Sequence, residues 1–429
     1  MVGDEGIDGR GPSSLDSSRL RKPGIPLNLL FVAQLLPWPL DNGAAHRVYH
    51  LLEWLTERHR VTLVVLAQEG AVVDERFPLW HRCERVLSVS RTTCAFCRTS
   101  RFEHHPPVAD RLRALVASPL PNFVRRWHSP ELFGILRELH ATSRFDLVWA
   151  ERSYIAEMVR AAGFRRVVVD VDDLESVVLL RVLRQSPWYR SKPLAYVEAL
   201  KGRVYERLLL PLRFRRLLVC KEEDRRLFAP GLRHKAFVVP NGVSALAPCD
   251  PAEERLGELL FVGSLEYWPN EDAVTWFVRE ILPRVRSRHP DVRFVMVGAR
   301  PGEAVRALHN GTDVVVAGSV PDLEPYYRRA ALVVVPMRLG GGTRIKVLEA
   351  LAYGKAVVAT SVGAEGLSLA PGEALEIADG PEAFADACVR LLGDAGARRR
   401  LAENGRERVL ERYEWDALLG QRLGDVLAL

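Results

Sequence analysis

The 429-residue sequence has no apolar run long enough to cross a bilayer: the run at 176–180 is cut by Arg181 and that at 208–212 by Arg213. Its first twenty-odd residues lack the apolar centre of a secretory leader and are rich in Gly, Ser and charge, so residues 1–23 are expected to be a disordered tail. No G-x-G-x-x-G follows a first strand, which argues against a dinucleotide oxidoreductase. Neither zinc-finger spacing nor an aromatic-rich basic module is present, and a net charge of +6 is too mild for nucleic acid. It suits anionic ligands or a negatively charged membrane face. Of six cysteines, only Cys94 and Cys97 form a CxxC. With Cys83 and His104 or His105 it has the makings of a zinc site, but without a second CxxC, reduced thiols are the expectation. A cytoplasmic location follows as the default, with peripheral attachment to the inner membrane face as its variant.

What is present is concentrated in residues 331–360, ALVVVPMRLGGGTRIKVLEALAYGKAVVAT. The continuous apolar run at 331–336 predicts a strand buried on both faces of a parallel sheet. Gly340, Gly341 and Gly342 permit close backbone approach and positive φ. Thr343 is placed to cap the next helix, whose buried stripe is Ile345, Leu348, Leu351 and Ala352. Lys346, Glu349 and Tyr353 share a neighbouring face. Gly354 ends the helix, and 356–360 is the next strand. A glycine turn at a helix N-terminus, with Arg344 and Lys346 in its first turns, suits phosphate oxygens. Glu349, about 5 Å further along the axis, suits a ribose hydroxyl. A packing turn with Lys346 and Glu349 as a solvated ion pair is the alternative.

GGGTRIKVLEALAYGKAVVAT resembles the donor-site signature of retaining GT-B glycosyltransferases of family 4 (glycosyl transferases group 1), in particular those with a GGGTR-x-K-x-LEA motif. FVGSLEYWPNEDA, AGSVPDLEPYY and VVPNGV extend the resemblance over the second half of the chain; the first half matches more weakly. The resemblance implies an α/β GT-B fold, two Rossmann-like domains with parallel sheets facing a central cleft. It also implies a nucleotide-sugar donor, an acceptor hydroxyl on a glycan, lipid-linked or small molecule, and no metal or other cofactor. The expected catalytic residues are Glu349, which matches a glutamate of the family motif, and Arg344 and Lys346, which lie on the loop and helix that meet the phosphates and replace a family Arg and Lys pair. Donor contacts fall on Gly340, Gly341, Gly342, Thr343 and Leu348 with those three, on Gly263 and Ser264 after the first strand of the second domain, and on Gly318, Ser319 and Val320, which read the base in relatives. Gly43 faces the donor from the opposite domain.

Three departures matter. The family's Arg and Lys after that first strand are absent: Ser264 follows Gly263, and Pro269 stands at the lysine position. The first glutamate of its Glu-x7-Glu motif, the one that contacts the sugar, falls on Gly341, while Glu349 matches the second. The histidine after the strand at 145–150 is missing; Glu151 either substitutes for it or, as expected, is a helix-start carboxylate. Glycosyl transfer is therefore weighed against a GT-B nucleotide-sugar epimerase and a non-catalytic partner subunit.

In order, residues 24–245 are expected to form the acceptor-side domain, 246–413 the nucleotide-sugar domain, and 414–429 a helix crossing back to the first. The linker is read at 244–257. Clustered acids at Asp170, Asp172 and Asp173 invite a metal, but helix capping or acceptor binding is the expectation. The Arg-rich segment 193–217, interrupted by Pro211, reads as a domain helix with a solvated basic face, contact with an anionic membrane being the alternative.

Overall fold

Runs of Val, Leu and Phe at regular intervals, each followed by a helical stretch, build two parallel sheets. The computed structural model describes residues 26–40, 42–67, 73–90, 120–125, 127, 129–185, 188–189, 192–341 and 343–428. The N-terminal tail, the CxxC, Asp41 and Gly342 lie outside them.

In the first sheet, β1 (Asn28–Ala33), β2 (Arg60–Ala67), β3 (Arg85–Ser90), β4 (Leu147–Glu151), β5 (Val167–Asp172), β6 (Arg216–Val219) and β7 (Ala236–Val238) stand in the order β3-β2-β1-β4-β5-β6-β7. In the second, β8 (Arg255–Val262), β9 (Arg293–Val297), β10 (Val314–Gly318), β11 (Ala330–Val335), β12 (Val357–Ala359) and β13 (Glu376–Ile377) stand in the order β10-β9-β8-β11-β12-β13. Both orders reverse beside their first strand, at β1/β4 and β8/β11. Connections leave in opposite directions there, opening a crevice at the carboxyl ends. The first core stacks Phe31 on Trp149 at 5.9 Å. The second packs Phe277 against Phe294 at 4.5 Å and against Phe384. This is the GT-B architecture, two doubly wound domains with their carboxyl edges opposed.

The chain passes between the sheets twice, side by side. Val243 N donates to Tyr413 O at 2.8 Å and Trp415 N donates to Val243 O at 3.2 Å. A Cβ on Gly242 would stand 2.6 Å from the Trp415 ring, so glycine is required for that approach. The helix Trp415–Leu427 then buries Trp415, Leu418, Leu419, Leu423 and Val426 in the first domain's core.

Candidate active site

Three neighbouring strands of the second sheet end in glycine: Val262-Gly263, Val297-Gly298 and Ala317-Gly318. Gly263 has φ +154°, and a Cβ there would lie 2.9 Å from Lys346 Nζ. A Cβ on Gly298 would run into Gly263 O. Gly318, at φ +72°, has open space where its Cβ would be. The result is a shelf of bare backbone at the carboxyl edge, bounded by Lys346.

The Lys346 ammonium donates to Asn270 Oδ1 at 2.6 Å and sits 4.3 Å over the Phe261 ring. Among the described residues no carboxylate pairs with it. Burial pushes its pKa well below the usual lysine range, and the nearby charge of Arg344 adds to this. It is a cation held without a counter-anion. Pro269 stands in the first turn of the helix Trp268–Trp276 and is buried. That helix brings Asn270 to Lys346, so the lysine sought at 269 is replaced in space by one from another element.

Arg344 differs from expectation. Its Nε donates to Val362 O at 3.2 Å, Nη1 to Gly341 O at 2.7 Å and Nη2 to Leu339 O at 3.4 Å. It braces the glycine loop, and a Cβ on Gly340 would lie 2.8 Å from its Nη1. Thr343 is not the cap of the helix Ile345–Ala352: Arg344 holds that position without a side-chain bond, and the Thr343 hydroxyl donates to Cys220 O at 3.2 Å. A partner across the cleft outcompetes the local one. Leu348 is fully buried among core residues, so its side chain does not face a ligand. Glu349 accepts from Tyr327 Oη at 2.9 Å, not from Lys346, and burial raises its pKa. Ser264 O accepts from Asn270 Nδ2 at 2.7 Å, Ser319 is exposed, and Val320 packs partly on the core.

The first domain clasps the same loop. The helix Glu175–Gln185 aims Arg181 across the cleft, where Nη1 donates to Gly340 O at 2.7 Å and Nη2 to Glu365 Oε1 at 2.7 Å. Lys221 Nζ joins Glu365 at 3.0 Å. Burial alone raises a carboxyl pKa, yet bonds and charges from Arg181 and Lys221 hold Glu365 at about 2. A Cβ on Gly341 would stand 2.5 Å from Asp173 Oδ2, so a first-domain carboxylate faces the position left without a glutamate. Gly43, capped by Asn42, opens the helix Gly43–Thr56, and a Cβ on it would stand 3.4 Å from Ile345 Cδ1.

Behind this face the acidic cluster is paired with arginines. Asp170 takes Arg47 Nε at 2.9 Å and Nη2 at 2.8 Å, and Arg47 reaches on to Val239 O and Asn241. Arg152 donates to Asp172 and Asp173, each at 2.9 Å. Arg152 and Asp172 hold φ values of 74° and 60°, rare for non-glycine residues and characteristic of sites where packing enforces strain. Among the described residues no group of three or more His, Cys, Asp or Glu is arranged to hold a metal ion. Glu151 is not a helix cap: its Oε2 accepts from Gln34 N at 2.8 Å, and burial pushes its pKa up to about 7.

Gly298, Asn270, Arg181 and Glu365 were not anticipated from sequence. The recurring valine- or alanine-glycine strand end signalled the first. Arg181 was visible as the charge interrupting an apolar run, since an arginine amid leucines needs a buried anion.

Residues 257–394 match the family model described as Glycosyl transferases group 1. An uncharacterized 44.6 kDa protein in the cps region of Klebsiella pneumoniae is 23% identical over 400 residues, covering 90% of this chain and 96% of that one. A phosphatidyl-myo-inositol mannosyltransferase of Mycolicibacterium smegmatis is 30% identical over 210 residues, covering 46% and 53%. Among solved structures, sucrose-phosphate synthase from Thermosynechococcus elongatus has a TM-score of 0.66 at 17% identity, covering 93% and 98%. Anabaena HepE in complex with UDP and glucose has a TM-score of 0.61 at 15% identity, covering 94% and 100%. At those identities the two structures speak for the fold.

Proposed function

From the match of residues 257–394 to the group 1 glycosyl transferases, we propose that the protein moves a sugar from a nucleoside diphosphate sugar to an acceptor hydroxyl, with retention at the anomeric carbon. The observation that carries the reading is Lys346: a half-buried ammonium with no counter-anion among the described residues, beside a shelf of bare backbone at a sheet switch point. A diphosphate is the anion that fits. As the bond to the anomeric carbon breaks, negative charge grows on the leaving phosphate, and Lys346 is already in place to meet it. Arg344 holds the loop in shape and adds positive charge. Glu349, steadied by Tyr327, accepts from a ribose hydroxyl. The base lies along Gly318–Val320. The sugar reaches toward Gly341, where Asp173 of the facing domain supplies the carboxylate, and the acceptor enters between the domains. Attack on the same face from which the leaving group departs keeps both partners on the phosphate side and gives retention.

The reading needs no metal, because Lys346 and Arg344 neutralise the diphosphate. Two experiments test it. UDP, GDP, dTDP and ADP are compared by thermal shift, since a ligand binding only the native state raises its melting temperature. Transfer from the best nucleotide's sugars is then followed with and without EDTA. We expect one nucleotide to stand out and transfer to persist in EDTA. No shift with any nucleotide overturns the donor site. Loss in EDTA with rescue by Mg²⁺ or Mn²⁺ overturns the metal-free scheme. Conversion of the donor sugar without an acceptor would make the protein an epimerase.

A further inference from the structure

From Lys192 to Arg213 the chain is helical, as Lys192–Val204, the π segment Tyr205–Leu209, and Leu210–Arg213. Its outward side chains are apolar: Tyr196, Val197, Leu200, Val204, Leu208 and Leu212 are 38–62% exposed. They recur every three or four residues, making a single stripe about 24 Å long at 1.5 Å per residue. Ala199, Gly202, Tyr205, Glu206 and Leu210 face inward and are buried. A solvated surface helix has the opposite arrangement, with charge outward. Trp188, just before the run, is 76% exposed. Arg203 and Arg207, one turn apart beside the stripe, have no carboxylate partner among the described residues. No described helix is long and apolar enough to cross a membrane.

We propose that this stripe seats the protein on an anionic lipid bilayer, with Val197, Leu200, Val204, Leu208 and Leu212 among the acyl chains and Arg203 and Arg207 against the headgroups. Charge complementarity selects this occupant. A two-fold contact between copies of the chain sets each patch on itself, placing unpaired arginines against unpaired arginines. An exposed tryptophan and tyrosine suit the headgroup level. The striped run also packs on the helix Glu175–Gln185, where a Cβ on Gly202 would be 3.4 Å from Ser176 Cβ. That second helix carries Arg181, so the bilayer lies one helix layer from the cleft. Resting on the transferase reading, this identifies the acceptor as a hydroxyl presented at a lipid surface.

The test is co-sedimentation of the full chain with phosphatidylcholine vesicles, with and without phosphatidylglycerol, in the absence of any nucleotide sugar. Wild type binds only the anionic vesicles, less so at high salt. Leu200→Ser with Leu208→Ser weakens this on the order of tenfold or more, since both lose buried apolar area. Arg203→Glu with Arg207→Glu reduces it to the level on neutral vesicles. Both variants keep the wild-type melting temperature and its shift with nucleoside diphosphate. Failure of wild type to bind anionic vesicles, or unchanged binding by both variants, overturns the proposal. So does a wild-type dimer, seen by light scattering, that the serine variant splits. These readouts involve no turnover, so their failure leaves the transferase reading standing. If vesicles are bound but a lipid-linked acceptor is not used while a soluble one is, only the acceptor assignment falls.

Discussion

Replacing Lys346 with methionine isolates the charge from the packing. The unbranched stem still lies over Phe261, and only the ammonium is lost. A hydrogen bond to a charged group contributes about 1.5–3 kcal/mol. At about 1.4 kcal/mol per decade, Lys346→Met therefore weakens nucleoside-diphosphate binding roughly 10- to 150-fold. The free protein should not lose stability, because a half-buried cation without an anion is itself unfavourable. The pH dependence gives a second readout. In the free protein the ammonium's pKa lies well below the usual lysine value, and a bound diphosphate raises it again. Binding therefore takes up a proton once the pH exceeds the depressed value, and affinity falls by up to about tenfold per unit as pH rises. Lys346→Met abolishes that slope. Titration calorimetry in two buffers of different ionisation enthalpy measures both the affinity and the proton uptake. A change in Kd below about threefold, with the alkaline slope intact, would refute the reasoning and move the phosphate elsewhere.

Gly43→Val should reduce kcat far more than nucleotide affinity, because its γ carbons press on Ile345 at the domain contact and leave Lys346 untouched; wild-type transfer rates would remove Gly43 from the cleft. Gly341→Glu sets a side chain where only 2.5 Å separates its Cβ from Asp173 Oδ2, so it should lower both melting temperature and transfer, overpacking costing about 1–3 kcal/mol. Adding Asp173→Ala should restore part of that loss, and strict additivity in the double-mutant cycle would show the two do not meet. Glu151 holds its proton up to about pH 7 when folded but not when unfolded, so the folded state binds more protons between about 4.5 and 7 and loses stability as pH rises through that window. Glu151→Gln keeps an acceptor for Gln34 N and should flatten the slope, stabilising the protein at pH 8 by at most about 3 kcal/mol; an unchanged urea-denaturation profile from pH 5 to 8 would contradict this.

The fold was legible because both sheets are parallel and buried on both faces, which leaves uninterrupted apolar runs such as that of β11 and glycine at the strand ends. Lys346 and Glu349 were legible as one helix face. What escaped was whatever depends on the opposing domain. Thr343 before a helix reads as a cap, and only the fold brings Cys220 O within its reach. Arg344 reads as an open cation until the loop carbonyls are seen folded around it. Gly341 reads as a missing carboxylate, whereas Asp173, 168 positions earlier in the numbering, occupies that space. Leu348 belongs to the buried stripe by periodicity, and the core claims it over the ligand.

The helix Trp415–Leu427 also bears on how the protein is made. Trp415, Leu418, Leu419, Leu423 and Val426 complete a core whose other side is Leu29, Val48, Leu51 and Leu52. On the ribosome the first domain emerges early, but the residues that cover this part of its apolar surface follow only after the entire second domain has been synthesised. Domains otherwise fold as they appear. Here the first must wait, partly uncovered, while the whole stretch from Val243 to Trp415 is made, and sequestering that surface against neighbouring nascent chains falls to chaperones until the helix arrives.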